Sequence, residues 1–287
     1  MWIPDEMKKC VAFLCIKNKE GVITPGGTGF FISVASKTNS NRIYTYFVTA
    51  RHNIIAIGQK DFWLRINSKD GKLLELPGNS NVKWFYNPNH EQNPADVALM
   101  RFPIFENKID ALAVPPPMYE KTEELINSGE LGIGNEVFIT GLFTRLSGKQ
   151  ENLPIIRMGN IAMIPNEKVP TKDFGNMDAY LIEARSIGGV SGSPVFFCKP
   201  QQTNKGFIPG VEFYLGGLIH GHWDTLEENI DSFLATEDAK ESKNINMGIA
   251  IVTPIAKIIE TLNCEELMQE RVENDKLMEK GNTPIAD

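Results

Sequence analysis

Gly189-Val190-Ser191-Gly192-Ser193-Pro194 sets a serine between glycines, directly ahead of the apolar run Val195-Phe196-Phe197. Glycine admits left-handed backbone, so such a serine is presented on a tight turn whose N–H groups can point at a neighbouring carbonyl oxygen. Taken alone, the hexapeptide reads as a loop. Two segments upstream alter that reading. Val48-Thr49-Ala50-Arg51-His52 ends one apolar run, and Pro94-Ala95-Asp96-Val97-Ala98-Leu99 puts a lone acid ahead of another. The order His52, Asp96, Ser191 is one of three chain orders in which a Ser-His-Asp triad is built.

Each of these residue types fits one part of a single chemistry. A serine hydroxyl is a weak nucleophile near neutrality and needs a base within hydrogen-bond reach. His52 is the expected base, because imidazole titrates near neutral pH and can take a proton and later return it. Asp96 is expected to hold the other ring nitrogen and stabilise the imidazolium. The N–H groups of Gly189 and Ser191 are the expected oxyanion hole, in which loss of one donor typically costs about 3–4 kcal/mol of transition-state stabilisation.

Composition narrows the alternatives. A chain of 287 residues, 42% hydrophobic and 23% charged, is long enough to bury a sizeable core. The net charge of −7 argues against a general nucleic-acid binder. Residues 1–9 carry acids and no long apolar run, so they read as neither signal peptide nor membrane anchor, and no stretch reaches the length of a spanning helix. Cys10, Cys15, Cys198 and Cys264 lack Cys-x-x-Cys spacing and are expected to be free thiols in a cytoplasmic protein. No cofactor, metal, nucleic-acid or membrane partner is expected.

The rest of the chain reads as mostly β. Strand-like segments lie at 11–17, 29–34, 43–49, 62–67, 82–86 and 97–102, punctuated by Gly26-Gly27, Asp70-Gly71, Pro77-Gly78-Asn79 and Asn87-Pro88-Asn89. Pro115-Pro116-Pro117 and the helix-like stretch 119–128 mark a linker. A second β series follows at 136–141, 155–164, 179–183, 194–198, 213–220 and 247–252. After Thr253-Pro254, Ile255, Ile258, Ile259 and Leu262 share one helical face, expected to pack as a lid on the second β unit. Residues 265–280 form a further, highly charged helical stretch. The expected organisation is a β unit over 1–114 with His52 and Asp96, a linker over 115–130, a β unit over 131–252 with Ser191, and C-terminal helices and tail over 253–287. Long loops at 147–177 and 223–246 interrupt the second half, and the latter is acidic.

Four landmarks in order carry a resemblance: Thr28-Gly29-Phe30-Phe31-Ile32, Val48-Thr49-Ala50-Arg51-His52, Asp96-Val97-Ala98-Leu99 and Gly189-Val190-Ser191-Gly192-Ser193-Pro194-Val195-Phe196. With Gly134–Gly141 as a first strand of the second unit, the chain resembles the trypsin-like, chymotrypsin-fold serine endopeptidases from Val11 to Val252. The Ser-Gly-Ser-Pro-Val-Phe run is similar to that of bacterial glutamyl endopeptidases. The resemblance implies an all-β fold of two antiparallel six-stranded barrels with the site between them, and peptide-bond hydrolysis through an acyl-enzyme. It also implies a protein or peptide substrate, and restraint by a regulatory partner or loop ordering. The alternative is an inactive or conditionally active scaffold on the same fold. Val190 departs from the animal trypsins, which carry there an aspartate that pairs with a freed N-terminus, so that activation route is closed to this chain.

The resemblance further implies a specificity pocket walled by Arg185 and by Leu218–His222. Arg185 replaces the acid of trypsins. Arg185, His220 and His222 are therefore expected to contact substrate, favouring Glu, Asp or Gln before the scissile bond. His220-Gly221-His222-Trp223-Asp224 also looks like part of a two-metal motif, but Thr225 stands where the last ligand belongs and no histidine follows His222.

Overall fold

Alternation along the strands decides which core each one serves. Among the elements β1 (Val11–Lys17), β2 (Ile23–Ala35), β3 (Ile43–Thr49), β4 (Phe62–Asn67), β5 (Leu73–Gly78), β6 (Phe85–Tyr86) and β7 (Ala98–Arg101), successive residues point to opposite faces. Phe31 on β2 and Phe47 on β3 enter one core with Leu64 and Ile66, while their neighbours Phe30 and Val48 enter another. The computed structural model describes residues 2–39, 42–105, 107–184, 189–203, 206–226 and 244–279.

These seven strands form an antiparallel sheet in the order β5-β4-β1-β2-β3-β7-β6. The second half supplies β8 (Glu136–Gly141), β9 (Ile155–Met163), a hairpin of β10 (Val169–Thr171) and β11 (Gly175–Met177), then β12 (Tyr180–Glu183), β13 (Pro194–Thr203), β14 (Gly206–Leu226) and β15 (Asn244–Pro254). Of these, β12-β15-β14-β13-β8-β9 close into a barrel. The all-β class and the six-stranded barrel of the second half match the expectation. The first half differs, since it is a seven-stranded sheet whose end strands β5 and β6 share no ladder among the described residues. Its extra strand, β5, hid in the sequence because Pro77-Gly78 reads as a turn. A proline lacking an N–H is tolerated there because β5 is an edge strand that, among the described residues, pairs with β4 alone.

Barrel strands obey the same parity. Val137, Ile139, Val195 and Phe197 fill the barrel, while Phe138 and Phe196 point out and stack with ring centroids 4.9 Å apart. That outward pair joins Phe30, Ile32 and Val48 in a shared core between the two sheets. An aromatic side chain typically buries about 150–250 Å², so these rings contribute apolar burial between the halves.

The linker region contains a 3-10 turn at Pro116–Met118 and helix α2 (Thr122–Asn127), after α1 (Arg51–Ile57) in the first half. Beyond Pro254, α3 (Ile255–Leu262) buries Ile255, Ile258 and Leu262 in the shared core rather than lying on the second unit alone, and it touches β7 as well as β14 and β15. Helix α4 (Glu265–Glu279) docks on the first sheet through buried polar groups. Arg271 donates to the Tyr46 hydroxyl at 2.9 Å and to the Leu262 carbonyl at 2.8 Å. Asp275 accepts from Ser36 at 2.8 Å, Tyr44 at 2.6 Å and Arg42 at 2.6 Å. The four cysteines are free, and burial pushes the Cys10, Cys15 and Cys198 thiols up to about 12. Among the described residues no helix is long and apolar enough to cross a membrane. Most of the acidic 223–246 loop lies outside the described residues.

Candidate active site

Three local structures meet at the junction of the two sheets. β3 ends at Thr49, Ala50 remains extended, and α1 starts at Arg51, which puts His52 in the first helical turn. Asp96 precedes β7 in irregular backbone and has no exposed surface. Its Oδ1 accepts the His52 backbone N–H at 2.9 Å, and its Oδ2 lies 2.7 Å from His52 Nδ1. Two bonds to one carboxylate fix both the helix start and the ring. With Nδ1 donating, Nε2 on the far side of the ring carries the lone pair a base needs.

The titration of the pair follows from this geometry. Burial alone drives the Asp96 carboxyl up, but bonds from His220 and His52 outweigh it and hold the group down at about 2. Burial likewise pushes His52 down. The hydrogen bond and charge of Asp96, with the charge of Asp173, more than reverse this and raise its pKa above 6.5.

Ser191 sits on a turn held from both sides. Gly189 and Gly192 adopt φ of 96° and 84°, in the left-handed region where a side chain is strained. Gly192 N–H donates to Ile219 O at 2.8 Å and Ser193 N–H to Val190 O at 2.9 Å. These bonds do not involve the N–H groups of Gly189 and Ser191, the pair expected to face a carbonyl oxygen. Val190 is buried with Val195 and Ile219 in the barrel core, so an apolar anchor occupies the place where an ion pair would need a charge.

Two residues that sequence reasoning gave no role bind this turn to the first sheet. Thr28 on β2 donates its N–H to Ser191 O at 3.1 Å and its hydroxyl to Gly189 O at 2.8 Å, while accepting Leu142 N–H at 2.9 Å. Asn53 donates to Ser191 O and to Thr49 Oγ1, each at 3.1 Å. The available signals were slight: Asn53 adjoins the candidate base, and Thr28 opens the first landmark segment without a role of its own. The Ser191 hydroxyl itself donates to the His220 carbonyl at 3.4 Å, a long bond from a single rotor that is readily redirected.

The expected specificity residues fare differently. Arg185 lies outside the described residues. His222 is partly buried on β14, opposite Ala250 of β15. His220 is buried, and its Nδ1 lies 2.6 Å from Asp96 Oδ2. The β14–β15 register shifts between Ile219 and Gly221, leaving His220 as the bulge residue, and a bulge re-aims the side chain it carries. Phe174, in the β10–β11 hairpin, lies edge-on to the His220 ring at 5.5 Å and to His90 at 5.6 Å.

His52, Asp96 and His220 place their donor atoms within 4.8 Å of one another, a set that by composition could hold a metal ion. The separations of 2.6 and 2.7 Å from Asp96 Oδ2 to the two Nδ1 atoms are hydrogen-bond lengths. Two ligands on one tetrahedral ion with bonds of about 2 Å would stand roughly 3.2 Å apart. As arranged, the cluster is built around protons.

No protein-family model and no curated protein matches this chain. Solved structures are similar to it. Deg5 shows 12% identity and a TM-score of 0.48 over 88% of this chain and 87% of its own. The MamO protease domain from Magnetospirillum magneticum, in apo form, shows 12% identity and 0.48 over 91% and 99%. An inactive mutant form of Rv3671c from M. tuberculosis H37Rv shows 16% identity and 0.45 over 89% and 86%.

Proposed function

We propose that the protein is a serine endopeptidase in which Ser191 is the nucleophile, His52 the general base and acid, and Asp96 the group that orients His52. The observation that carries this reading is the doubly bonded pair of His52 and the fully buried Asp96, set beside a left-handed serine turn latched to the same sheet. Ser191 Oγ attacks a peptide carbonyl as its proton passes to His52 Nε2. The N–H groups of Gly189 and Ser191 receive the negative charge that develops on the carbonyl oxygen. His52 returns the proton to the leaving amine, and water, deprotonated in turn by His52, releases the acyl group.

Preference for an acidic or Gln residue before the scissile bond rests on Arg185 and His222, since His220 is engaged with Asp96. A peptide-library cleavage profile dominated by Lys, Arg or aromatic residues removes that preference. The class itself is tested with a fluorophosphonate probe. Labelling of the wild-type protein that is absent in Ser191→Ala and strongly reduced in His52→Ala is the expected result. A folded wild-type protein that stays unlabelled overturns the hydrolase reading in favour of a protease-fold scaffold.

A further inference from the structure

His220 touches both ends of the candidate triad: its ring nitrogen reaches Asp96 Oδ2 at 2.6 Å and its carbonyl accepts the Ser191 hydroxyl at 3.4 Å. Asp96 thereby accepts three bonds, with His52 and His220 sharing Oδ2 and the His52 N–H on Oδ1. The arrangement is built in at three levels. The β14 bulge turns His220 inward, burial strips water from its ring, and Phe174 closes one side of it edge-on. The two imidazole planes stand at 89° with centroids 5.6 Å apart, so both rings approach one oxygen without colliding.

We propose that His220 is a positioning residue for this site. It donates Nδ1–H to Asp96 Oδ2 and locks the carboxylate rotation that keeps His52 aligned with Ser191. Without His220 both bonds to Asp96 come from His52 alone, so carboxylate and ring can shift together about the broad terminal torsion, whereas a donor on β14 anchors the carboxylate to the second half. Sharing also divides the acceptor strength of Oδ2 between two imidazoles, so His220 restrains how strongly Asp96 favours protonated His52. This inference rests on the hydrolase reading for its consequence, and on the His220–Asp96 bond for its structure.

The test uses the full-length protein and the same fluorophosphonate, with saturation kinetics separating the inactivation rate constant from probe affinity. His220→Leu is expected to lower the rate constant by on the order of ten- to a hundred-fold with affinity unchanged, as misplacement of a reacting group does. His220→Asn, whose amide can donate in place of Nδ1–H, recovers most of that loss. In His220→Leu the acidic limb of the rate profile moves to higher pH because Asp96 then serves His52 alone. Asp173, His90, Arg51 and Glu91, charged or titratable groups acting around this cluster among the described residues, are unchanged in all variants. Proton spectra of histidine-labelled protein show two strongly downfield Nδ1–H signals in the wild type and one in His220→Leu. A wild-type rate and profile in His220→Leu, or an Asn variant no better than Leu, overturns the positioning role. Absence of labelling in every folded protein while the two downfield signals persist instead overturns the hydrolase reading, leaving the His220–Asp96 bond as structure alone.

Discussion

Thr28 and Gly189 are 161 positions apart, yet the Thr28 hydroxyl donates to the Gly189 carbonyl at 2.8 Å. That bond crosses from the first sheet to the serine turn and fixes the Gly189 peptide, which lies one residue before the backbone that leads into Ser191. Because the same hydroxyl accepts Leu142 N–H, one fully buried side chain satisfies groups from two segments of the second half.

Thr28→Val keeps the shape and removes the hydroxyl. Leu142 N–H and Gly189 O are then left without this partner, and a buried unsatisfied group costs about 1–3 kcal/mol. The urea midpoint is expected to fall with an unchanged slope, and probe labelling of Ser191 to fall further than stability alone dictates. Equal labelling of the two folded proteins would show that the bond serves folding only.

Gly192 has a φ of 84°, and a β-carbon placed on it would collide with the Thr28 carbonyl, the Thr49 hydroxyl and the Ala50 nitrogen. A methyl group in Gly192→Ala meets backbone there, which cannot swing aside as a flexible side chain would. Left-handed strain adds about 1–3 kcal/mol to that clash. The variant is expected to be markedly destabilised, with Ser191 unlabelled even where it remains folded. A thermal melt equal to wild type would contradict the tight approach of the two halves.

Much of this site was legible in the sequence because its parts are residue types with narrow chemical uses, and strand ends present them. His52, Asp96 and Ser191 needed only their order and their neighbours. The side chains that tie them together were not legible. Thr28 is an ordinary strand threonine until its partner, far along the chain, is brought to it. The resemblance points His220 toward substrate and says nothing of its bond to Asp96, which depends on a β14 bulge whose one sequence trace is Gly221, a residue type that also occurs in regular strands and turns. In the same way the first sheet's extra strand was concealed by Pro77-Gly78, residues that mark a turn in isolation but sit on an edge here.

The pH dependence follows from opposite shifts of one pair. His52 must be neutral to accept the Ser191 proton, and its pKa is raised from 6.5 by Asp96 and Asp173 against the opposing effect of burial. The acidic limb of the labelling rate is therefore expected above pH 6.5, with activity rising as pH increases through it. In stability the raised His52 contributes fully below its unfolded value, and that contribution fades as pH rises through the folded one. Asp96 acts in the opposite sense: its contribution is present above 3.8 and is lost as pH falls toward about 2. A labelling rate that is flat from pH 5 to 8 would remove His52 as the base.

Arg271 of α4 serves a different junction, reaching the Leu262 carbonyl at the end of α3 and the Tyr46 hydroxyl on β3. Carbonyls in the last turn of a helix lack internal partners, so the guanidinium caps α3 while pinning α4 to the first sheet. Arg271→Met retains the apolar stem but strands both acceptors in a buried site. A loss of about 1–3 kcal/mol is expected, partly offset because a charge no longer needs burial. Arg271→Lys is expected to recover only part of it, since an ammonium is a compact charge and not a planar fork that spans two acceptors. Denaturant titration of the two variants checks the order: wild type, then Lys, then Met. Met as stable as wild type would mean that the apolar contacts of Leu267 and its neighbours hold α4 without the cap.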